Sequence, residues 1–235
     1  MDAFSFWVAG VMVYVAVGVF LLGMAARLIQ WFSAAPSPMN LGTFPKPQGI
    51  GRVTRVVSDT LFFPQLAEVN GSLWLGSAVF HAALAGVFVG HLHLLGRFPG
   101  GLEAAMTAGS RVMGAAMGAL WALSIVYLLV RRFKSPEKEL STPEDYLLLL
   151  LLLGVVVIGD HLRFFAHLPV SAYQEYVRSL YAFHPEFPPA LAAAGNAKVG
   201  FVTHILFANL LLIYLPFSKL VHFVGAFFTN ALRRS

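Results

Sequence analysis

Along the chain, apolar runs alternate with shorter polar stretches, and five of the runs are long enough to cross a bilayer. A spanning helix needs about 20 mostly apolar residues. Such runs occur at about 4–29, 73–95, 112–130, 146–165 and 200–223, the fourth opening with unbroken leucine from Leu147 to Leu153. The pattern predicts an all-α membrane protein, a single domain over 1–235 built as a five-helix transmembrane bundle. The first run has no basic stretch before it and Asp2 is its first charge, so it is expected to remain as a helix rather than act as a cleaved leader. Two connections exceed a tight turn. Residues 33–72 contain Pro36, Pro38, Pro45 and Pro47, then an amphipathic stretch over 50–66 suited to a membrane surface or a docking partner. Residues 167–199 contain Phe183-His184-Pro185-Glu186-Phe187-Pro188-Pro189.

Composition narrows the class. Hydrophobic residues make up 58% of the 235, charged residues 11%, and mean hydropathy is +0.73. Soluble domains carry about 25% charged residues, and disorder needs low hydrophobicity with high charge, so neither fits. There is no cysteine, which excludes disulfides, thiolate zinc sites, cysteine-ligated iron–sulfur clusters and c-type haem attachment within this chain. The net charge of +5 reads as loop charge at a membrane, not as a nucleic-acid-binding face. With the N-terminus outside, eleven basic residues fall on the cytoplasmic side: Arg27, Lys46, Arg52, Arg55, Arg131, Arg132, Lys134, Lys138, Lys219, Arg233 and Arg234. Five fall outside: Arg97, Arg111, Arg163, Arg178 and Lys198. The expected topology is therefore N-out and C-in, with residues 33–72 cytoplasmic, in a prokaryotic inner membrane.

The candidate chemistry lies in histidine. Of the eight (His81, His91, His93, His161, His167, His184, His204 and His222), His81 and His91 fall in the second run, and His204 and His222 in the fifth. Ionisable groups at membrane depth are costly and mark function. The second helix runs outward and the fifth inward under this topology. Level-matching then sets His81 beside His222 near the cytoplasm, and His91 beside His204 near the outside. Imidazole suits haem iron, and two such ligands fill both axial positions, leaving a centre suited to electron transfer. The spacing tests the idea: residues 81–91 rise ~15 Å and residues 204–222 rise ~27 Å along a helix. Helix tilt and ring orientation are expected to absorb the mismatch, with His222 at the very end of its helix. Small residues at Ala82, Ala83, Ala85, Gly86 and Gly90, and at Gly114, Ala115, Ala116, Gly118 and Ala119, suit close helix packing or a flat macrocycle. Two other classes compete. Histidine serves as interhelical glue in a non-haem membrane anchor, and as a relay in a transporter or proton-conducting subunit, where broken helices or repeats are expected and neither is read from the sequence.

Particular blocks carry a family resemblance. Phe80-His81 with Gly86-Val87-Phe88-Val89-Gly90-His91, the segment Leu215-Pro216-Phe217-Ser218-Lys219-Leu220-Val221-His222, and Arg131-Arg132-Phe133-Lys134-Ser135-Pro136 resemble the gamma subunit of respiratory nitrate reductases over about 72–223. The stretches Gly159-Asp160-His161-Leu162-Arg163-Phe164 and Phe183-His184-Pro185 are more similar to the cytochrome b subunits of sulfate-reducer membrane complexes, of the Dsr type and the high-molecular-weight cytochrome type. A longer first loop and a tail of thirteen residues after His222 also favour that branch over nitrate reductase gamma proper.

The resemblance implies an electron-transfer subunit of a multi-subunit oxidoreductase. It implies two b-type haems, held by His81 with His222 and by His91 with His204. Menaquinol or another quinol is the implied substrate. The implied partner is a cytoplasmic iron–sulfur subunit, heterodisulfide-reductase-like or nitrate-reductase-beta-like, with other membrane and multihaem cytochrome c subunits beside it. A quinone site near the outer haem is implied as well. Its candidates are His93, Arg111, Asp160 and Arg163, with His161 beside them; Asp160 and Arg163, one turn apart, are placed to pair.

Overall fold

Each long apolar run becomes a helix because, without water, backbone polar groups are satisfied only inside a helix or a closed barrel. The computed structural model describes residues 1–33, 49–96, 102–166 and 168–233, with backbone alone for 102–111 and 232–233. Helix α1 covers Ala3–Ser33. Helices α2 (Ile50–Phe62) and α3 (Pro64–Val69) follow. Next come α4 (Gly71–Leu92), α5 (Leu102–Arg131) and α6 (Pro143–Ala166). Then come α7 (Val170–Tyr181), α8 (Asn196–Tyr214) and α9 (His222–Arg233), with single helical turns at Glu137–Leu140 and Pro189–Ala192 in the connections. Five stretches have the length and apolarity to cross a membrane: Ala3–Ser33, Gly71–Leu92, Val112–Arg131, Pro143–Ala166 and Asn196–Phe217. The chain is a multi-pass membrane protein. Many of its large apolar side chains, such as Leu22, Leu123 and Val157, are exposed on these spans, as lipid contact requires.

The extensive helix contacts run from α4 to α5, α5 to α6, α6 to α8 and α8 to α1. Phe80, Ala83, Trp121, Ile125, Leu149, Leu152 and Val156 fill the core that α4, α5 and α6 share. A second core of Val8, Ala9, Tyr176, Phe187, Leu191, Phe201 and Val202 joins α1, α7 and α8. There α1 contains a π-turn, Trp7–Val11. Carbonyls loosened by such a turn need donors in a dry interior. Asn209 Nδ2 donates to Val8 O at 2.9 Å and Tyr176 Oη to Ala9 O at 2.7 Å. At this end Asp2 caps α1 by accepting from Ser5 N at 2.9 Å and pairs with Lys198 at 2.9 Å. Both interactions hold its carboxyl well below the usual range.

The structure departs from the sequence expectation at four places. Helix α5 starts at Leu102 instead of about 112. Within 33–72 the amphipathic stretch splits into α2 and α3 at Phe63, which takes φ 35° before Pro64; residues 34–48 lie outside the described set. The 167–199 connection holds an unforeseen amphipathic helix, α7, whose face carries the buried Ala172 and Tyr176. Most important, the fifth run is not one helix to 223. It stops at Tyr214, passes through 3₁₀ turns at Leu215–Phe217 and Lys219–Val221, and restarts as α9. Proline has no N–H to continue the ladder and clashes with the preceding turn, so Pro216 ends the span. Pro216 is fully buried. A side chain on Gly23 of α1 would meet its ring at 2.6 Å, and Arg27 Nε donates to its carbonyl at 2.9 Å. His222 therefore opens a helix where the sequence placed it at the end of one. Helix tilt is not what absorbs the 204–222 interval.

A charged clamp holds this turn. Asp145, buried at the start of α6, accepts from Lys219 Nζ at 2.9 Å and from Thr142 N at 2.9 Å, with Arg132 at 3.5 Å. Removing the carboxylate leaves two cations facing each other and takes the acceptor from the Thr142 N–H, half of the capping box that opens α6. Asp145→Ala is expected to lower stability by about 2 kcal/mol. Thermal unfolding of the detergent-solubilised protein followed by circular dichroism checks it, with an unshifted midpoint counting against the clamp.

Candidate functional site

The histidines expected to matter stand in pairs. The rings of His81 and His222 lie 6.0 Å apart between centroids, at 88° to each other. Those of His91 and His204 lie 6.4 Å apart, at 12°. The first pair sits at the end of the bundle that carries Lys219, the second toward the end that carries Asp2. These are the combinations that level-matching of antiparallel helices gives. The first is made possible by the Pro216 break, which turns the chain so that His222 comes back to α4.

Every one of the four rings has the same nitrogen engaged. Nδ1 of His81 faces Ser77 O at 2.7 Å, and that of His91 faces Val87 O at 2.7 Å. Nδ1 of His222 faces Lys219 O at 2.9 Å, and that of His204 faces Val155 O at 3.0 Å. A carbonyl only accepts, so Nδ1 carries the proton and donates, while Nε2 keeps its lone pair. This is the tautomer of a metal-ligating histidine with its other N–H on a carbonyl. A metal–imidazole bond is about 2 Å, and the ring centre lies roughly 1 Å behind the nitrogen, so two axial imidazoles place their centroids about 6 Å apart. Both pairs have that separation. Among the described residues, no group of three or more His, Cys, Asp or Glu gathers as a bare-ion site. Each pair thus offers two donors to a metal that brings its remaining ligands with it.

The surroundings fit a flat apolar group with carboxylate arms. A cavity beside His81 and His222 is lined by Leu128, Leu149 and Leu152 and by the charged trio Arg132, Lys219 and Asp145, two cations to one carboxylate. The Phe63 ring stands 5.8 Å from His81. The buried indole N–H of Trp121, whose ring packs on Phe80, has no hydrogen-bond partner among the described residues.

A polar cluster occupies the Asp2 end, beyond His91 and His204. His93 ends α4, with Nδ1 in close contact with Gly90 O, and its carbonyl accepts from Gln174 Nε2 at 2.9 Å. Burial holds the His93 imidazole below its usual value. Asp160 and Arg163 of α6 lie over Gly118 and Gly114 of α5, where a Cβ would collide with the carboxylate and the guanidinium. The Arg163 charge acts on Asp160, His93 and Tyr173. Three of the expected quinone-site residues, His93, Asp160 and Arg163, thus lie at the same end of the bundle, within reach of the Arg163 charge. Arg111 lies in α5, its side chain outside the described residues, as is His167. His161 turns to the Phe165 ring at 5.2 Å, and the exposed His184 faces Glu186.

Sequence reasoning missed Tyr173 and Gln174, which α7 brings to the cluster, and the Val155 carbonyl that orients His204. It also missed the seat of Pro216, although a proline inside an apolar run is a break signal. The break falls at the end of its span, away from the midplane where transporters place theirs.

A family model described as nitrate reductase gamma subunit matches residues 64–234. Two relatives are both described as "Hdr-like menaquinol oxidoreductase cytochrome b-like subunit". That of Archaeoglobus fulgidus is 28% identical over 254 residues, covering 92% of this chain and 76% of the relative. That of Archaeoglobus profundus is 27% identical over 165 residues, covering 67% of this chain and 48% of the relative. With most of its length matched and its five spans in place, the chain belongs to the nitrate reductase gamma subunit family.

Proposed function

We propose that this chain is the membrane cytochrome b subunit of a menaquinol oxidoreductase. In this reading it holds two b-type haems, one between His81 and His222 and one between His91 and His204. The observation that carries the reading is the pair of imidazole couples, 6.0 and 6.4 Å apart, with all four Nδ1 groups held by carbonyls. When bound, haem iron alternates between ferric and ferrous states and relays single electrons. The histidines would hold the two groups, and two imidazoles on each metal would leave oxygen and substrate no place to bind. Arg132 and Lys219 stand at the edge of the first position with Asp145 between them, so two cations face one carboxylate there. The excess of basic residues on the Lys219 end supports placing that end in the cytoplasm and the Asp2 end outside.

His93, Asp160 and Arg163 then form the outer quinol site, with Tyr173 and Gln174 beside them. Quinol oxidation releases two protons as two electrons depart. His93 and Asp160 supply acceptors near the surface, and Arg163 steadies the carboxylate. Protons leave outside while electrons move inward, so charge separates across the membrane. The Hdr-like naming of both relatives supports a heterodisulfide-reductase-like iron–sulfur partner in the cytoplasm, with further membrane or multihaem cytochrome c subunits alongside.

Reduced-minus-oxidised spectra of the purified protein test the ligand set. His222→Ala should halve the b-type absorbance, and His91→Ala should remove the other half and abolish reduction by quinol. Two haems retained in both variants would refute the pairing. For the quinol site, Asp160→Asn should keep both haems, reducible by dithionite, while slowing haem reduction by a menaquinol analogue about 10²-fold, the usual worth of a positioned proton acceptor. Stopped-flow rates equal to those of the unsubstituted protein would remove Asp160 from the reaction.

A further inference from the structure

We propose that α6, which carries none of the four paired histidines, sets the ring plane of His204 and so makes the two centres electronically unequal. The inference rests on the haem reading above. His81, His91 and His222 direct Nδ1 to carbonyls three or four residues back in their own chain segment, at Ser77, Val87 and Lys219. Those rings follow their own backbone. His204 alone among the four reaches across to another span, at Val155 O of α6, 3.0 Å away.

The reason lies one turn further along α6. Residues four apart share a helix face, so Gly159 stands over Val155 on the side that meets His204. A Cβ on Gly159 would sit 3.1 Å from His204 Cε1 and 3.4 Å from its Nδ1, closer than the ordinary contact of about 3.5–4.0 Å. Lacking that Cβ, α6 offers a flat patch on which the imidazole lies, with the second lone pair of the Val155 carbonyl open at its edge. One contact fixes where the N–H points, and the other fixes how far the ring can turn. The outcome is a ring within 12° of the His91 plane, whereas His222, oriented by its own 3₁₀ turn, stands at 88° to His81.

Axial ring planes govern the splitting of the iron d orbitals. Parallel imidazoles separate the two π-type orbitals and give a rhombic ferric spectrum with three resolved g-values. Perpendicular imidazoles leave them nearly degenerate and give a single feature at large g. Gly159 and the Val155 carbonyl are therefore positioning elements, acting on the metal through His204.

Electron paramagnetic resonance of the air-oxidised full chain in detergent reads this directly. The unsubstituted protein should show one rhombic and one large-g signal, with His91→Ala deleting the first and His222→Ala the second. Gly159→Ala should move the rhombic signal toward larger g while the protein keeps two haems. Gly10→Ala crowds Pro185 at 3.2 Å, a tightness like that at Gly159 but on α1 and away from the paired histidines, and should change neither signal. Two signals of one type in the unsubstituted protein would overturn the proposal even if the glycine variant failed to fold. So would an unmoved spectrum in Gly159→Ala, or an equal movement in Gly10→Ala. A protein with no b-type bands at all would instead remove the cytochrome reading on which the proposal stands.

Discussion

The arrangement depends on one interruption of a helix. Had the last span continued as a regular helix, the eighteen residues from His204 would have carried position 222 ~27 Å along the axis. The ten residues between His81 and His91 cover only ~15 Å on the facing helix. No pairing at both levels could then be made by straight helices of ordinary tilt. Pro216 resolves the conflict by ending the helix after Tyr214, and two 3₁₀ turns bring His222 back to within 6.0 Å of His81. A break inside a membrane protein exposes carbonyls, and those have to be met. Arg27 takes the Pro216 carbonyl, and His222 itself takes that of Lys219. Gly23 leaves room for the proline ring. The first span, which contributes no histidine, is thus what fixes the position of the last one.

The same economy of donors runs through the polar interior. An imidazole with two free nitrogens would be costly at this depth. Each of the four paired rings settles one nitrogen on a carbonyl and leaves the other as a ligand. The charged side chains are segregated to the two ends. Asp145 with Arg132 and Lys219 tightens the turn that presents His222, while Asp160 and Arg163 fit over glycines of α5 just beyond His91 and His204.

Much of this was legible in the sequence. Hydropathy alone located the five spans, because a span must be both long and apolar, and counting residues from each span's start sorted the histidines into levels. Chain ends of helices were not legible. Leu102 begins α5 well ahead of the apolar stretch, since an amphipathic turn can precede the membrane without breaking the helix. Helix α7 escaped notice because its weakly apolar segment becomes helical by burying Ala172 and Tyr176 against α1 and α8, a tertiary effect. Val155 could not have been found at all. Its role is played by a backbone carbonyl, and carbonyls carry no mark in a sequence. Only the glycine at 159, a residue that lowers helix propensity, hinted that something approaches α6 closely there.

On the proposed reading, the layering of the interior decides what crosses the membrane. Electron transfer between two metal positions requires only proximity through packed atoms, whereas a proton needs a chain of groups able to give and take it. Between the two histidine levels the shared core is Phe80, Ala83, Trp121, Ile125, Leu149, Leu152 and Val156. The buried polar side chains Ser124 and Asn209 each donate to a backbone carbonyl, Trp121 O and Val8 O, and the buried Trp121 indole N–H can donate but not accept, so none of the three is an open relay. A proton lost at the His93–Asp160–Arg163 cluster therefore meets an apolar layer on the inward side and solvent on the other. Separation of charge then follows from the order of side chains along the bundle, with no moving part required to enforce it.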